Sequence, residues 1–236
     1  MLIDEHIKRL KTHCNKLSIE YPPNVKEKFA IACESLTKLE NNAKYHSSQP
    51  PFLLRFSLSS SGAIDVKGRK NRPHNGKLTA TISEAPRWSG EITGTKHADW
   101  SKYLRITKNA EELGFDIALL IFNETIVDAD RSTPILLDHD GIAWVCDNKM
   151  GGVDSITLDY VENVLETHGI PLMRGRLTAT MLLRSEELLV LGTGVGVAKV
   201  IEVDGTKIGN DSNILYNIIC ETLTKLQTEK WIEIGD

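Results

Sequence analysis

Lys96 stands in the stretch Gly94-Thr95-Lys96-His97-Ala98-Asp99-Trp100-Ser101-Lys102-Tyr103. An amine drawn partly out of water loses its proton more readily, and the neutral form can attack a carbonyl or carry a proton as a general base. Three further features follow in order: the carboxylate Asp128 after an apolar run, the pair Gly151-Gly152 ahead of a helical pattern, and the turn Gly192-Thr193-Gly194 after a second apolar run. A helix that opens behind glycines turns unpaired backbone N–H groups and a positive dipole end toward an anion. Taken singly, each has a plainer reading: a solvated charge for Lys96, an Asp128–Arg131 ion pair in a loop, a helix cap at Asp154. Their joint presence is what suggests a single site.

The elements that would position these groups can be read from spacing and punctuation. Ile7, Leu10, Cys14 and Leu17 recur at helical spacing over residues 4–17, and Phe29, Ile31, Ala32, Leu36 and Leu39 mark a second helix over 24–41 behind Pro22-Pro23. Residues 46–51 read as a polar linker, 52–58 and 63–67 as strands joined by a turn at 59–62, and 68–76 as a solvated basic loop. A strand near 77–82 precedes the lysine stretch, which leads into a helix stopped at Leu113-Gly114. Ile117-Ala118-Leu119-Leu120-Ile121-Phe122 has the uninterrupted apolar character of a strand buried on both faces; Asn123-Glu124 turns it back into 125–127. A hairpin through Asp140-Gly141, a helix over 155–167, a strand over 188–191, strands at 200–203 and 206–208 around Asp204-Gly205, and a final helix over 214–226 complete the pattern. Strands and helices mingle without regular alternation, which disfavours a doubly wound sheet.

In order and spacing, the segment from about Gly94 to Gly209 resembles the class IV aminotransferases, the pyridoxal-phosphate enzymes of fold type IV. That family includes branched-chain and D-amino-acid aminotransferases and aminodeoxychorismate lyase. The resemblance implies a mixed α/β (α+β) chain of two domains, a small one over 1–88 and a cofactor domain over 89–236 whose barrel-like sheet carries helices outside. It implies pyridoxal 5'-phosphate as cofactor, Lys96 as its amine partner and proton carrier, and Asp128 at the ring nitrogen, where the family usually has glutamate, with Glu124 as the substitute if the hairpin register differs. Val153 and Asp154 fall at the phosphate cup, Asp154 replacing the usual threonine, and Thr193 and Gly194 at its second half. Arg9, in His6-Ile7-Lys8-Arg9-Leu10, matches an arginine that pairs with the phosphate. Asp99 and Tyr103 occupy positions that recur in the lyase branch, while Trp100 stands where an arginine is common. The expected reaction is amino transfer between an amino acid and a 2-oxo acid by a cytoplasmic homodimer; the alternatives are 4-amino-4-deoxychorismate lyase and a non-catalytic relative. Family members usually carry strands ahead of the His-x-x-Arg-Leu helix, with which this sequence begins, so part of the wall that selects substrates is expected to be missing.

Composition narrows the alternatives. With 28 basic against 32 acidic residues and a net charge of -4, the 236-residue chain lacks the basic excess of a general nucleic-acid binder. The basic loop over 68–76 has no interleaved aromatics for base stacking. Cys14, Cys33, Cys146 and Cys220 are scattered singly, which suggests reduced thiols rather than a disulfide framework or zinc site, and no His pair has helical metal-ligand spacing. No window reaches the length of an apolar membrane helix. The run Gly192-Thr193-Gly194-Val195-Gly196 superficially resembles a dinucleotide-binding loop, but a strand and a hairpin follow it where a helix should.

Overall fold

The computed structural model describes residues 2–41, 52–70, 74 and 76–229. The chain divides into two compact units, Met1–Arg72 with Gln227–Asp236, and Pro73–Leu226. The expected linker at 46–51 lies outside the described residues.

The smaller unit holds helices α1 (Ile3–Lys16) and α2 (Val25–Asn41) and the hairpin β1 (Phe52–Leu58) and β2 (Ile64–Lys70). Cys14, Val25 and Cys33 supply its buried helix face, and Phe29 of α2 meets Phe56 of β1 edge to face at 5.3 Å. The hairpin pairs without interruption from Leu58↔Ile64 to Phe52↔Lys70. Strand β2 therefore extends into residues 68–70, expected as loop, because the partner strand is long enough to pair with them.

The larger unit is built on one mixed sheet. Its strands are β3 (Lys77–Glu84), β4 (Ile117–Phe122), β5 (Thr125–Ala129), β6 (Thr133–Leu137), β7 (Ala143–Cys146), β8 (Leu172–Gly175), β9 (Glu187–Gly192), β10 (Gly196–Val203) and the short β11 (Thr206–Lys207). They run in the order β5-β4-β3-β10-β9-β6-β7-β8, with β11 paired to β10. Strand β3 pairs with both β4 and β10, which is why the division into compact units falls before it, at 72/73. Helix α3 (Ser101–Glu112) crosses between the parallel strands β3 and β4, and α4 (Ile156–Thr167) between the parallel strands β7 and β8; the short α5 (Ala179–Leu183) precedes β9 and α6 (Ile214–Glu229) closes the unit. The two ends of the strand path approach each other: Ile126 N–H donates to Leu177 O at 2.8 Å, and Arg176 reaches Thr125 Oγ1 and Asn123 O at 3.0 and 2.7 Å. The sheet is thus curled toward a barrel. Leu119, Leu120, Leu136, Leu188 and Val190 are fully buried along its centre, where loss of contact with water is the main stabilising term.

Glycine ends α3 as its position suggests, since Gly114 adopts φ +88 and its N–H returns to Glu111 O. Asn123 and Glu124 also take positive φ, 47 and 59, giving the tight turn between β4 and β5. No helix among the described residues is long and apolar enough to cross a membrane. Among them there is also no group of three or more His, Cys, Asp or Glu placed to hold a metal ion.

Candidate active site

Strand β5 is buried along its whole length, so its charged residue, Asp128, is carried inside with only 7% of its surface exposed. The pairing of β5 with β4 slips between Leu120 and Ile121, leaving Val127 as an extra residue. A bulge of this kind changes the direction of neighbouring side chains, and here Val127 and Asp128 both line one small cavity, with Thr133, Cys146, Gly152 and Val153. A Cβ on Gly152 would strike Val127 O, so only glycine lets the 151–153 turn lie this close to the strand. That approach brings Val153 N–H to Asp128 Oδ2 at 3.1 Å, while Ala129 N–H donates to Oδ1 at 3.0 Å. Two neutral donors do not offset the loss of water: burial pushes the Asp128 pKa up to about 7, against the pull of these bonds and of the Lys96 charge.

That pull places Lys96 within electrostatic reach of Asp128. The loop carrying Lys96 rests on the same glycine turn, because a Cβ on Gly94 would lie 3.2 Å from Gly152 O. Buried Thr95, whose hydroxyl donates to Ile92 O at 2.6 Å, fixes the residue before the lysine. Lys96 itself is exposed, its Nζ 5.0 Å from the centre of the Trp100 ring. Around it Trp88 stacks on Tyr103 at 5.8 Å and meets His97 edge to face at 4.4 Å. Asp99 Oδ1 accepts from Ser101 Oγ at 2.7 Å and Oδ2 from Trp88 Nε1 at 3.2 Å, bonds that hold its pKa below the ordinary value. Tyr103 is pushed up to about 12, chiefly by burial and then by the Asp128 charge, and stays a neutral O–H donor at physiological pH.

Lys96, Asp128 and Val153 are therefore brought together. Asp154 turns its carboxylate to Asn148 Nδ2 at 2.6 Å, and the cap of α4 is Ser155, whose Oγ accepts from Leu158 N–H at 3.3 Å, so Asp154 is not the helix cap. Thr193 is exposed and Gly194 half-buried in the β9–β10 turn. Gly192, at the start of that turn, lies against Ser132, whose buried hydroxyl has no hydrogen-bond partner among the described residues. Glu124 is exposed in its turn, unlike Asp128. Arg131 pairs with Asp130 and Glu111 at 3.3 and 3.8 Å, so the plainer reading of an Asp128–Arg131 brace does not describe this loop. Arg9 lies on α1 of the smaller unit, and its assignment rests on the sequence. One residue beside the site escaped the sequence reading: Arg87, whose guanidinium lies over the Phe122 ring at 3.9 Å and donates to Met150 O at 2.9 Å. An arginine between a proline and a tryptophan, nine positions before the lysine, was its only signal.

No curated protein sequence matches the chain. Solved structures do match its fold. A fold IV transaminase from Curtobacterium pusillum superposes with a TM-score of 0.80 at 15% identity, over 96% of this chain and 80% of that one. The branched-chain amino acid aminotransferase from Escherichia coli gives 0.77 at 16% identity, over 98% and 83%. A candidate 4-amino-4-deoxychorismate lyase from Legionella pneumophila gives 0.77 at 13%, over 94% and 84%. At these identities the likeness speaks for the fold, a fold type IV arrangement of curled sheet and helices. The family-level match is independent of it, because the amino-transferase class IV pattern runs through residues 1–203, which include Lys96, Asp128 and the 151–154 turn. On that ground the chain belongs to the class IV aminotransferases, a family of pyridoxal-phosphate enzymes.

Proposed function

We propose that this enzyme transfers an amino group between an amino acid and a 2-oxo acid, with Lys96 and Asp128 as its working pair. The observation that carries the reading is the convergence of the lysine loop, a buried carboxylate and the glycine turn. The donor set fits pyridoxal 5'-phosphate: an amine within electrostatic reach of a carboxylate whose second lone pairs are unspent, and a buried Ser132 hydroxyl without a partner beside the Gly192 turn. When bound, the cofactor supplies an aldehyde that captures amino groups and a ring that draws electrons from the substrate Cα. Lys96 Nζ holds the cofactor and then moves the Cα proton. Asp128 keeps a proton at the ring nitrogen, a task suited to a carboxylate shut away from water. Backbone N–H groups at Val153, Asp154 and Gly194 and the Thr193 hydroxyl receive the phosphate, and the Asp154 side chain, tied to Asn148, stays out of its way. Val153 N–H is bonded to Asp128, so binding requires that N–H to be shared or released.

Purified protein given pyridoxal phosphate should turn yellow, and borohydride should then fix the label to the peptide containing Lys96. A parent protein that stays colourless, or a Lys96→Ala variant that colours equally, would remove the proposal. A second reading, elimination of pyruvate, is favoured by Asp99 and Tyr103 in the lysine segment, both held in place by Trp88. Release of pyruvate from aminodeoxychorismate without an oxo-acid acceptor would favour it over amino transfer. We further propose a cytoplasmic homodimer, as the family resemblance suggests; light scattering that finds only monomer would withdraw it.

A further inference from the structure

Arg87 is a half-buried cation whose surroundings leave it under-used. Its plane rests on Phe122, its Nη1 donates to Met150 O, and its remaining N–H groups have no protein acceptor among the described residues. No carboxylate of those residues comes within ion-pair distance of it, nor of Lys102, whose Nζ donates to Arg87 O at 3.1 Å and stands 4.7 Å over the Trp88 ring. Of the nearby acids, Asp99 is engaged by Ser101 and Trp88, and Asp128, which faces the 153 turn, makes no ion pair with Arg87. Among the described residues, two cations thus stand without acidic partners in a segment that also bears Lys96.

The position of Arg87 is fixed from several sides. A Cβ on Gly151 would collide with its guanidinium and with Thr93 Cγ2, so Arg87 lies against the glycine turn beside the lysine loop. Thr93 Oγ1 accepts from Trp88 N–H at 2.9 Å and donates to Trp88 O at 3.0 Å, tying the start of that loop to the residue after Arg87. Tyr103 feels the charges of both Arg87 and Asp128, so the guanidinium shares the neighbourhood of the buried carboxylate. A guanidinium stacked on a ring, with donors to spare, matches a carboxylate in two-point geometry, and partial burial strengthens the contact.

We infer that Arg87 receives the carboxylate of the amino-acid or 2-oxo-acid substrate, a role that rests on the proposed aminotransferase reading and adds a substrate-binding residue to it. Lys102, bonded to Arg87 O, adds to the positive field there. The cofactor phosphate, assigned to the 153–154 and 193–194 backbone, is a different anion, and the two are separable by experiment.

The test uses holoprotein titrated with 4-methylvalerate, a carboxylate with neither amino nor oxo group to react, followed by visible absorption and tryptophan fluorescence. Arg87→Gln should weaken its binding about tenfold or more while leaving pyridoxal phosphate affinity within about twofold of the parent, with Arg87→Lys between the two. Parent-like carboxylate binding in Arg87→Gln overturns the inference. So does a parallel loss of cofactor affinity, which would assign Arg87 to the phosphate. If Arg87→Gln fails to fold, Arg87→Lys decides: it keeps a charge and a donor for Met150 O but loses the planar fork, and unaltered 4-methylvalerate binding in it counts against carboxylate recognition. A parent protein that never becomes yellow sinks the aminotransferase reading itself, whereas a yellow parent with Arg87-independent carboxylate binding sinks only this inference.

Discussion

Two acidic side chains of the larger unit, Asp128 and Glu187, face the same physical problem and meet it differently. Glu187 has no exposed surface, yet its carboxylate is fully engaged: Ser212 Oγ and Leu215 N–H donate to Oε1, both at 2.9 Å, and Tyr216 N–H to Oε2 at 3.0 Å. It sits at the start of α6, where a negative charge also favours the helix dipole. Lys199 on the neighbouring strand is equally committed, to Asn210 O at 2.9 Å, to Ser212 O and to Asn213 Oδ1 at 3.4 Å. Together they fix the 210–216 run onto the sheet. Among the described residues Asp128 has only two donors, one of them its own neighbour's N–H, and burial carries its pKa to about 7. A carboxylate kept for architecture is saturated. One left short of donors, beside a lysine and a cavity, has capacity to spare for a ligand.

Substitution should separate the two. Glu187→Ala strands three donors and should cost about 4 kcal/mol of stability by denaturant unfolding while sparing turnover per folded molecule. Asp128→Ala should do the reverse. Its stability should stay near that of the parent, but amino-transfer half-reactions should slow by about two to three decades, or about 3–4 kcal/mol, and Asp128→Glu should keep much of the rate.

The pH response sharpens the contrast. The folded-state pKa of Asp128, about 7, lies above the 3.8 of a free aspartate, so the cofactor-free folded chain holds a proton that the unfolded chain releases. The contribution of this group to stability is therefore present in acid and is lost as pH rises, by about 3 kcal/mol between about pH 4 and 7. Asp128→Asn has no such proton to lose, and the difference between its unfolding curves and the parent's should show the slope directly. The smallest effect belongs to Ser155, the cap of α4: Ser155→Ala should cost about 1 kcal/mol, read as a shifted denaturation midpoint with little change in rate.

The sequence shows the larger unit well where one force dominates. The run from Ile117 to Phe122 is apolar throughout because β4 is buried, and Gly114 and Asn123-Glu124 mark backbone that ordinary residues avoid. Strand β8 left no trace, since Leu172-Met173-Arg174-Gly175 is an edge segment of exposed or half-exposed residues defined only by pairing with β7. Helix α5 is five residues long, too short to display a period. Of the candidate site, the neighbourhood of Lys96, Asp128 and the glycine turn was suggested by the order of their motifs. The bond from Val153 to Asp128 was not, because it depends on the bulge at Val127, and a register slip has no signature in a single sequence. Arg87 was invisible for a similar reason: an arginine acquires meaning from the acids it lacks, and those are known only in three dimensions.

We propose that Asp128 is under-bound because a cofactor's ring nitrogen completes it. Carboxyl-carbon NMR of the protein labelled at aspartate, with Asp128→Asn to assign the signal, measures this without relying on turnover. In the cofactor-free protein the Asp128 resonance should titrate near pH 7, and after pyridoxal phosphate binds it should remain ionised far below that value, held by the positive charge opposite. A midpoint unchanged in protein that has turned yellow would contradict the claim and return Asp128 to the same structural class as Glu187.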